Sequence, residues 1–143
     1  MQAIRGWLMG AGHERATELL RGNPSYIFFR VVENLAPDQG PIGAMGVPLT
    51  PRRSVAVDRG FIPLGAPLFV TVRDPLARRD APPTGRLVVA QDTGGAIRGF
   101  ARTDYFWGWG NDAAERAGRM RQDAEVFILL PRTIEVAAAP AAQ

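Results

Sequence analysis

The sequence of 143 residues contains no cysteine and a single histidine, His13. Without cysteine the chain can form neither disulfides nor thiolate metal sites, and one histidine leaves too few nitrogen ligands for the usual zinc sites. His13 lies in a polar segment with helical character, and we expect it at the surface. These absences exclude many classes of metalloenzyme, and we predict neither a metal site nor an organic cofactor.

Lysine is also absent, so all 17 basic residues are arginine, and together with 14 acidic residues they give a net charge of +3. The arginines are spread along the chain among the acids, and no basic block of the kind that binds nucleic acid is present. We therefore expect no nucleic-acid partner. The sequence does not indicate an oligomeric state.

Long apolar runs are missing as well. No run approaches the ~20 residues of a membrane-spanning helix. The first eleven residues contain Arg5, Trp7 and glycines, where a secretory signal would have a basic end and an apolar core. We expect no membrane span and no signal sequence. The hydrophobic fraction of 46% is ordinary for a globular domain.

Acidic, aromatic and glycine residues concentrate in residues 90–110, which read AQDTGGAIRGFARTDYFWGWG. Asp92 follows the apolar run 86–91, so we expect it at the C-terminal end of a buried strand, where loops often carry chemistry. Gly94 and Gly95 allow a tight turn and let backbone N–H groups come close to a ligand. This stretch is the candidate functional site.

Asp104 lies in the same stretch, directly before a run in which large flat rings alternate with glycine. Such surfaces are typical of sugar binding. However, aspartates near glycine are most often turn residues whose carboxylates accept backbone hydrogen bonds. Aromatic runs are likewise more often core than ligand platform. Both alternatives stay open at this point, because spacing alone does not establish a catalyst.

Periodicity along the rest of the chain predicts short elements separated by turns. We expect one broken or two short helices within residues 2–21, and a later helix that begins at Asp112 with Asn111 as its N-cap. Strands are predicted over residues 26–32, 54–58, 67–72, 86–91 and 124–130. Residues 33–46 and 74–85 are rich in proline and glycine and should form loops. This pattern favours a mainly β, barrel-like fold over a parallel α/β sheet.

Several segments match a known family. They are GVPLTPRRSVAVDRGFIPLGAPLF, RLVVAQDTGGAIRGFARTDYFWGWG, AAERAGRM and, upstream, NPSYIFFR. Over residues 23–131 the chain resembles the membrane-bound lytic murein transglycosylase A family, in the part called the three-aspartate (3D) domain.

The resemblance implies a six-stranded double-psi β-barrel, 3D/barwin-like, with one or two short helices. It divides the chain into a helical segment (1–22), the barrel (23–132) and a flexible tail (133–143). Members of the family are longer and form two domains, so we expect this chain to be part of a larger protein. The family is exported to the periplasm and is associated with the outer membrane.

The implied activity is cleavage of the β-1,4 bond between N-acetylmuramic acid and N-acetylglucosamine in peptidoglycan glycan strands, leaving a 1,6-anhydro product. By resemblance Asp104 is the catalytic acid, and Asp92 and Asp58 are the other two aspartates of the domain's name. The acid must be protonated near neutral pH. We expect burial beside Phe106 and Trp107, together with repulsion from Asp92, to favour that form. Asp92 could equally orient Asp104 by hydrogen bonding.

Other residues are expected to support this chemistry. Asp58 is predicted to tie loops together through backbone N–H groups. Predicted substrate-binding residues are Tyr26, Gln91, Gly94, Gly95 and Trp107. Ring stacking on sugars and core packing remain equal alternatives for Tyr26, Trp107 and Trp109. The alternative functions are a non-catalytic glycan-binding barrel and a passive folding or interaction module.

Overall fold

The structure is a computed structural model that describes residues 2–24, 31–100 and 102–134. The chain divides into two compact units, Met1–Pro37 and Asp38–Gln143.

The first unit contains two short helices, α1 (Gln2–Gly10) and α2 (His13–Arg21). Gly12 lies between them with a φ of +80°, a left-handed conformation that glycine adopts without steric cost, and this conformation separates the two helices. The prediction of two short helices within residues 2–21 is therefore confirmed. His13 is exposed, as expected.

The second unit is built on one mixed sheet. Its strands are β1 (Ser54–Val57), β2 (Pro67–Val72), β3 (Thr84–Asp92), β4 (Thr103–Tyr105) and β5 (Ala124–Ile128), and helix α3 (Gly110–Arg119) lies between the last two in sequence. The spatial order is β4-β1-β3-β2-β5. β1 runs parallel to β3, and the other neighbouring pairs are antiparallel.

The core forms on one face of this sheet. In β2 the side chains of Leu68, Val70 and Val72 are buried in strict alternation, which is the period that a strand with one buried face requires. Val55, Val57, Ile62, Val88 and Ala90 complete the same cluster. The mainly β class is therefore confirmed, and the apolar runs of β1, β2 and β3 fix the position of the loops that follow them.

The strands differ in part from what the sequence predicts. The described residues contain five strands in this sheet, so the six-stranded double-psi barrel is not confirmed. For the strand predicted over residues 26–32, Val31 and Val32 are not in a strand, and residues 26–30 lie outside the described part. The segment 103–105 forms a strand that periodicity did not predict, because three residues are too few to show a period.

The start of α3 also differs from the prediction. The N-cap is Trp109, in extended conformation and without a side-chain cap, rather than Asn111. Gly110 has a φ of +84°, a conformation that glycine adopts far more readily than other residues. The chain therefore turns directly from Trp109 into the helix. Of the three described helices, α1 and α2 lie in the segment 1–22 that was expected to be helical, and α3 is the one described helix of the second unit. None of them combines the length and apolar character needed to cross a membrane.

Candidate functional site

Asp104 and Asp92 lie in one row across three neighbouring strands. Ala56 of β1 pairs with Asp104 of β4 on one side and with Asp92 of β3 on the other. Strand spacing of 4.7–4.9 Å sets the two aspartate backbones roughly 10 Å apart. The sheet therefore brings together two of the three aspartates, with the backbone of β1 between them.

Asp58 follows β1 directly and holds two loops by its carboxylate. It accepts hydrogen bonds from the backbone N–H of Gly99 (2.8 Å) and of Gly60 (3.0 Å). These two bonds, that from Gly99 first, lower the pKa of the Asp58 carboxyl below its ordinary 3.8. The geometry matches the loop-tying role predicted from the sequence.

Asp92 ends β3, as predicted, and its carboxylate accepts a hydrogen bond from the backbone N–H of Ala44 (2.9 Å). The neighbouring Gln91 contributes in two ways. Its carbonyl accepts from the N–H of Met45 (3.0 Å), and its side-chain oxygen accepts from the buried hydroxyl of Ser54. Both residues thus hold the loop 38–50 against the end of the sheet, and the Gln91 amide oxygen is already bonded inside the protein.

Asp104 forms a bidentate ion pair with Arg102. Arg102 Nε donates to Oδ1 at 3.0 Å and Nη2 donates to Oδ2 at 3.1 Å. Asp104 raises the pKa of Arg102, chiefly through this hydrogen bonding. The third arm, Nη1, donates to the carbonyl of Ala96 at 2.7 Å, so Arg102 connects Asp104 to the loop 93–99.

This geometry corrects the expected environment of Asp104. Its side chain is half exposed and charge-paired, not buried beside Trp107. Asp92 makes none of the hydrogen bonds to Asp104 that the sequence left open, because β1 separates the two strands and Asp92 is bonded to Ala44. The partner of Asp104 is Arg102, which sequence reasoning missed. The spacing Arg-Thr-Asp was the available signal, since residues two apart in a strand share a face.

Asp104 borders an open hollow of about 350 Å³, here called the acid hollow. Its lining includes Arg102, Asp104, Trp107, Met120, Arg121 and Gln122. Charged groups and a large ring therefore meet at one surface depression, whose volume is at the lower end of the range for small-molecule sites.

Trp107 is 6% exposed and forms part of the wall of that hollow. Its ring packs edge-on against Tyr105 with centroids 4.9 Å apart, and its Nε1 donates to the sulfur of Met120 at 3.0 Å. The guanidinium groups of Arg52 and Arg116 lie 5.8 and 5.6 Å from the ring centroid. These contacts favour the packing alternative for Trp107.

Trp109 is 53% exposed, so it is the more accessible of the two tryptophans in this stretch. Gly94 and Gly95 border a second depression, of about 310 Å³, together with Asp58. Gly95 has open space around it, whereas a side chain at Gly94 would meet Ile97. Tyr26 lies outside the described residues.

The described part of the chain contains no cluster of three or more His, Asp or Glu side chains positioned to hold a metal ion. The three aspartates each have separate backbone or arginine partners instead. The chemistry of the site is thus that of isolated carboxylates near a mixed polar and aromatic hollow.

Comparison with known proteins matches residues 53–130 to the 3D domain family. The chain is 42% identical over 135 residues to the membrane-bound lytic murein transglycosylase A of Escherichia coli (strain K12), covering 90% of this chain and 34% of that protein. Among solved structures it resembles MltA from Neisseria gonorrhoeae, with a TM-score of 0.78, 43% identity, and coverage of 97% and 34%. E. coli MltA with bound chitohexaose superposes with a TM-score of 0.75, 37% identity, and coverage of 89% and 37%.

The chain spans about a third of the length of these relatives. The matched region contains all three aspartates, the strands that hold them and the acid hollow.

Proposed function

The chain belongs to the 3D domain family, and we propose that it forms the catalytic part of a lytic murein transglycosylase. The observation that carries the proposal is the half-exposed carboxylate of Asp104 at the rim of the acid hollow. A general acid has to reach the substrate, and Asp104 is the one of the three aspartates that borders this hollow.

The reaction requires a single carboxyl group. Protonated Asp104 gives its proton to the glycosidic oxygen, and the C1–O4 bond between N-acetylmuramic acid and N-acetylglucosamine breaks. The 6-hydroxyl of the same muramic acid then bonds to C1, and its proton passes to the Asp104 carboxylate. The products are a 1,6-anhydromuramic acid end and a free N-acetylglucosamine hydroxyl, and no water is consumed. This differs from the two-carboxylate arrangement of ordinary glycosidases.

Arg102 controls how Asp104 enters this reaction. Both carboxylate oxygens are bonded to Arg102, so one of them must turn towards the glycosidic oxygen when substrate binds. Arg102 can keep the other oxygen in place, because Nε and Nη2 donate separately. Asp92 and Asp58 act as supporting residues that hold the loops 38–50 and 93–99 around the acid.

The substrate follows from the chemistry and from the relatives. A relative binds chitohexaose, an oligosaccharide of β-1,4-linked sugars, and we extend this to peptidoglycan glycan strands as the partner of this chain. Trp109, Gly94 and Gly95 are the proposed sugar contacts, and Tyr26 and Gln91 stay proposed contacts of the same kind. Trp107, predicted as a contact from the sequence, supports the wall of the acid hollow instead. The relatives are membrane-bound, which supports a periplasmic site of action near the outer membrane.

We also propose that the sheet closes in the complete protein as the six-stranded double-psi barrel of the family. The parallel pairing of β1 with β3 between antiparallel neighbours supports this topology. The second domain of the longer relatives would complete the glycan cleft.

A non-catalytic glycan-binding domain is the second candidate, and the Asp104–Arg102 pair is the observation that favours it. An arginine contact stabilises the charged carboxylate, whereas a proton donor must be neutral. Such a domain would hold glycan strands with the same aromatic and polar surface but would leave the bond intact.

Incubation of the purified chain with peptidoglycan sacculi, followed by mass spectrometry of the released material, separates the candidates. Anhydro-muropeptides support the transglycosylase. Released muropeptides with ordinary reducing ends would show that water is the nucleophile and would overturn the mechanism. Sedimentation with sacculi and no release would support the binding domain, and neither binding nor release would remove both candidates.

A further inference from the structure

A third hollow, of about 450 Å³, adjoins the acid hollow. It is lined by Thr71, Arg73 and Glu125 at the ends of β2 and β5, and by Arg121, Gln122 and Asp123 of the connection from α3 to β5. Arg121 and Gln122 line both hollows. The two therefore form one continuous groove that extends away from Asp104, and we call the second part the charged hollow.

Arg73 lines the charged hollow and is the residue that most clearly indicates a ligand there. Its Nε is buried and has no hydrogen-bond partner among the described residues. Asp74, the acid next to it in the sequence, is occupied elsewhere, because it is paired with Arg116 and accepts a hydrogen bond from the N–H of Leu76. Arg73 forms no ion pair within the described residues, so its guanidinium can pair with an anionic ligand in the hollow.

The other charges of the hollow are unpaired too. Within the residues that the structure describes, Arg121, Asp123 and Glu125 form no ion pair, although arginines elsewhere in the unit pair readily, as Arg119 does with Glu115 at 2.8 Å. Two guanidinium groups and two carboxylates thus border the same groove. A ligand with both a carboxylate and an amine complements such a surface.

We propose that the charged hollow binds the peptide stem of the murein substrate, with a stem carboxylate at Arg73 and Arg121 and a stem amine at Asp123 and Glu125. The inference rests on the proposed function, because it takes the glycan to lie over Asp104. The stem hangs from the muramic acid whose bond is cut, so it leaves the glycan beside the acid hollow. The backbone sugars are uncharged and would have no use for these four groups, whereas the stem carries both signs of charge.

The first test measures binding of the free stem tripeptide, alanyl-γ-glutamyl-diaminopimelate, by NMR titration of the whole chain. We expect Arg121→Gln and Arg73→Gln to weaken binding about tenfold each, as loss of a charge-assisted contact does. Asp123→Asn should weaken binding of the tripeptide but should not weaken binding of a form whose diaminopimelate amine is acetylated. Arg79→Gln, an exposed arginine of the loop 74–83 that does not line the groove, is the matched control and should leave the affinity unchanged. Melting curves establish that each variant is folded.

The second test compares cleavage of glycan strands with stems and of the same strands after an amidase has removed the stems. The wild-type chain should prefer the stem-bearing strands, and Arg121→Gln should lose this preference. Tripeptide that does not bind, or that binds all variants alike, or a wild type that cuts both strands equally, would overturn the inference. If anhydro product forms equally with and without stems, the stem site is wrong and the proposed function stands. If the tripeptide binds at Arg121 but no anhydro product forms, the stem site stands and the proposed function is wrong.

Discussion

Arg102 binds Asp104 through two hydrogen bonds, of 3.0 and 3.1 Å, and reaches the carbonyl of Ala96 with its remaining arm. The proposed acid is therefore held in one orientation, and that orientation is tied to the loop that follows β3.

We predict that Arg102→Gln lowers the rate of anhydro-muropeptide release by about tenfold or more, because a misplaced acid loses much of its efficiency. The melting temperature should change little, since the pair is half exposed. Arg98→Gln is the matched control. Arg98 donates to the carbonyl of Gly95 in the same loop but does not touch Asp104, so release should stay near the wild-type rate. Equal losses in the two variants would show that loop order, not orientation of the acid, is what matters.

The acid end of the stability profile depends on Asp58. Its pKa is lowered from 3.8, so the folded state stabilises the charged carboxylate. That contribution is present above pH 3.8 and is lost as the pH falls through the lower folded pKa. Asp58→Asn should lower the melting temperature at neutral pH, and its difference from wild type should shrink below pH 3.8.

Asp80→Asn serves as the control for this prediction. Among the described residues Asp80 pairs with Arg78 alone, and both side chains are largely exposed, so its removal should leave the melting temperature unchanged at every pH. A deficit in Asp58→Asn that is as large at pH 2 as at neutral pH would contradict the charge-based role.

The loop 38–50 has no room for a side chain at Gly43. A methyl group there would lie 2.6 Å from the carbonyl oxygen of Gln91 and 2.6 Å from Leu49. Gly43→Ala should lower the free energy of unfolding by about 2 kcal/mol, as other overpacked sites do. Gly118→Ala, in α3 with open space around it, should raise it by about 0.5–1 kcal/mol. Denaturant unfolding measures both, and a Gly43→Ala variant as stable as wild type would show that the loop is not packed on Gln91.

The two tryptophans that follow Asp104 in the sequence should behave differently. Trp107→Ala removes a buried ring and should cost about 3–5 kcal/mol of unfolding free energy. Trp109→Ala should leave stability within ~0.5 kcal/mol but weaken binding to sacculi, because its ring is half exposed. Sedimentation with sacculi and denaturant unfolding, measured on both variants, separate the roles. Unchanged sacculus binding in Trp109→Ala would remove Trp109 from the sugar contacts.

The strands with a clear period could be predicted from the sequence alone. Pro67–Val72 is rich in residues that favour strands, and the apolar run before Asp92 correctly indicated a strand that ends there. The hydrogen bonding of Asp58 could be predicted as well, because an aspartate near glycine at a strand end commonly accepts hydrogen bonds from backbone N–H groups.

The surroundings of Asp104 could not be predicted in the same way. β4 is three residues long and exists because it pairs with β1, nearly fifty residues earlier. Once Thr103–Tyr105 is extended, Arg102 and Asp104 share a face and pair, which removes the burial that the aromatic neighbours suggested. The contact between Gln91 and Ser54 is likewise long-range, and no local pattern indicates it.

Release of anhydro-muropeptides from sacculi by wild type and Asp104→Asn tests the central claim most directly, with Asp80→Asn as a control of equal charge change. The substitution keeps the size of the side chain but removes the proton donor, so we predict a loss of release of roughly 100-fold or more with an unchanged melting temperature. Release by Asp104→Asn at the rate of wild type would contradict the assignment of Asp104 as the catalytic acid.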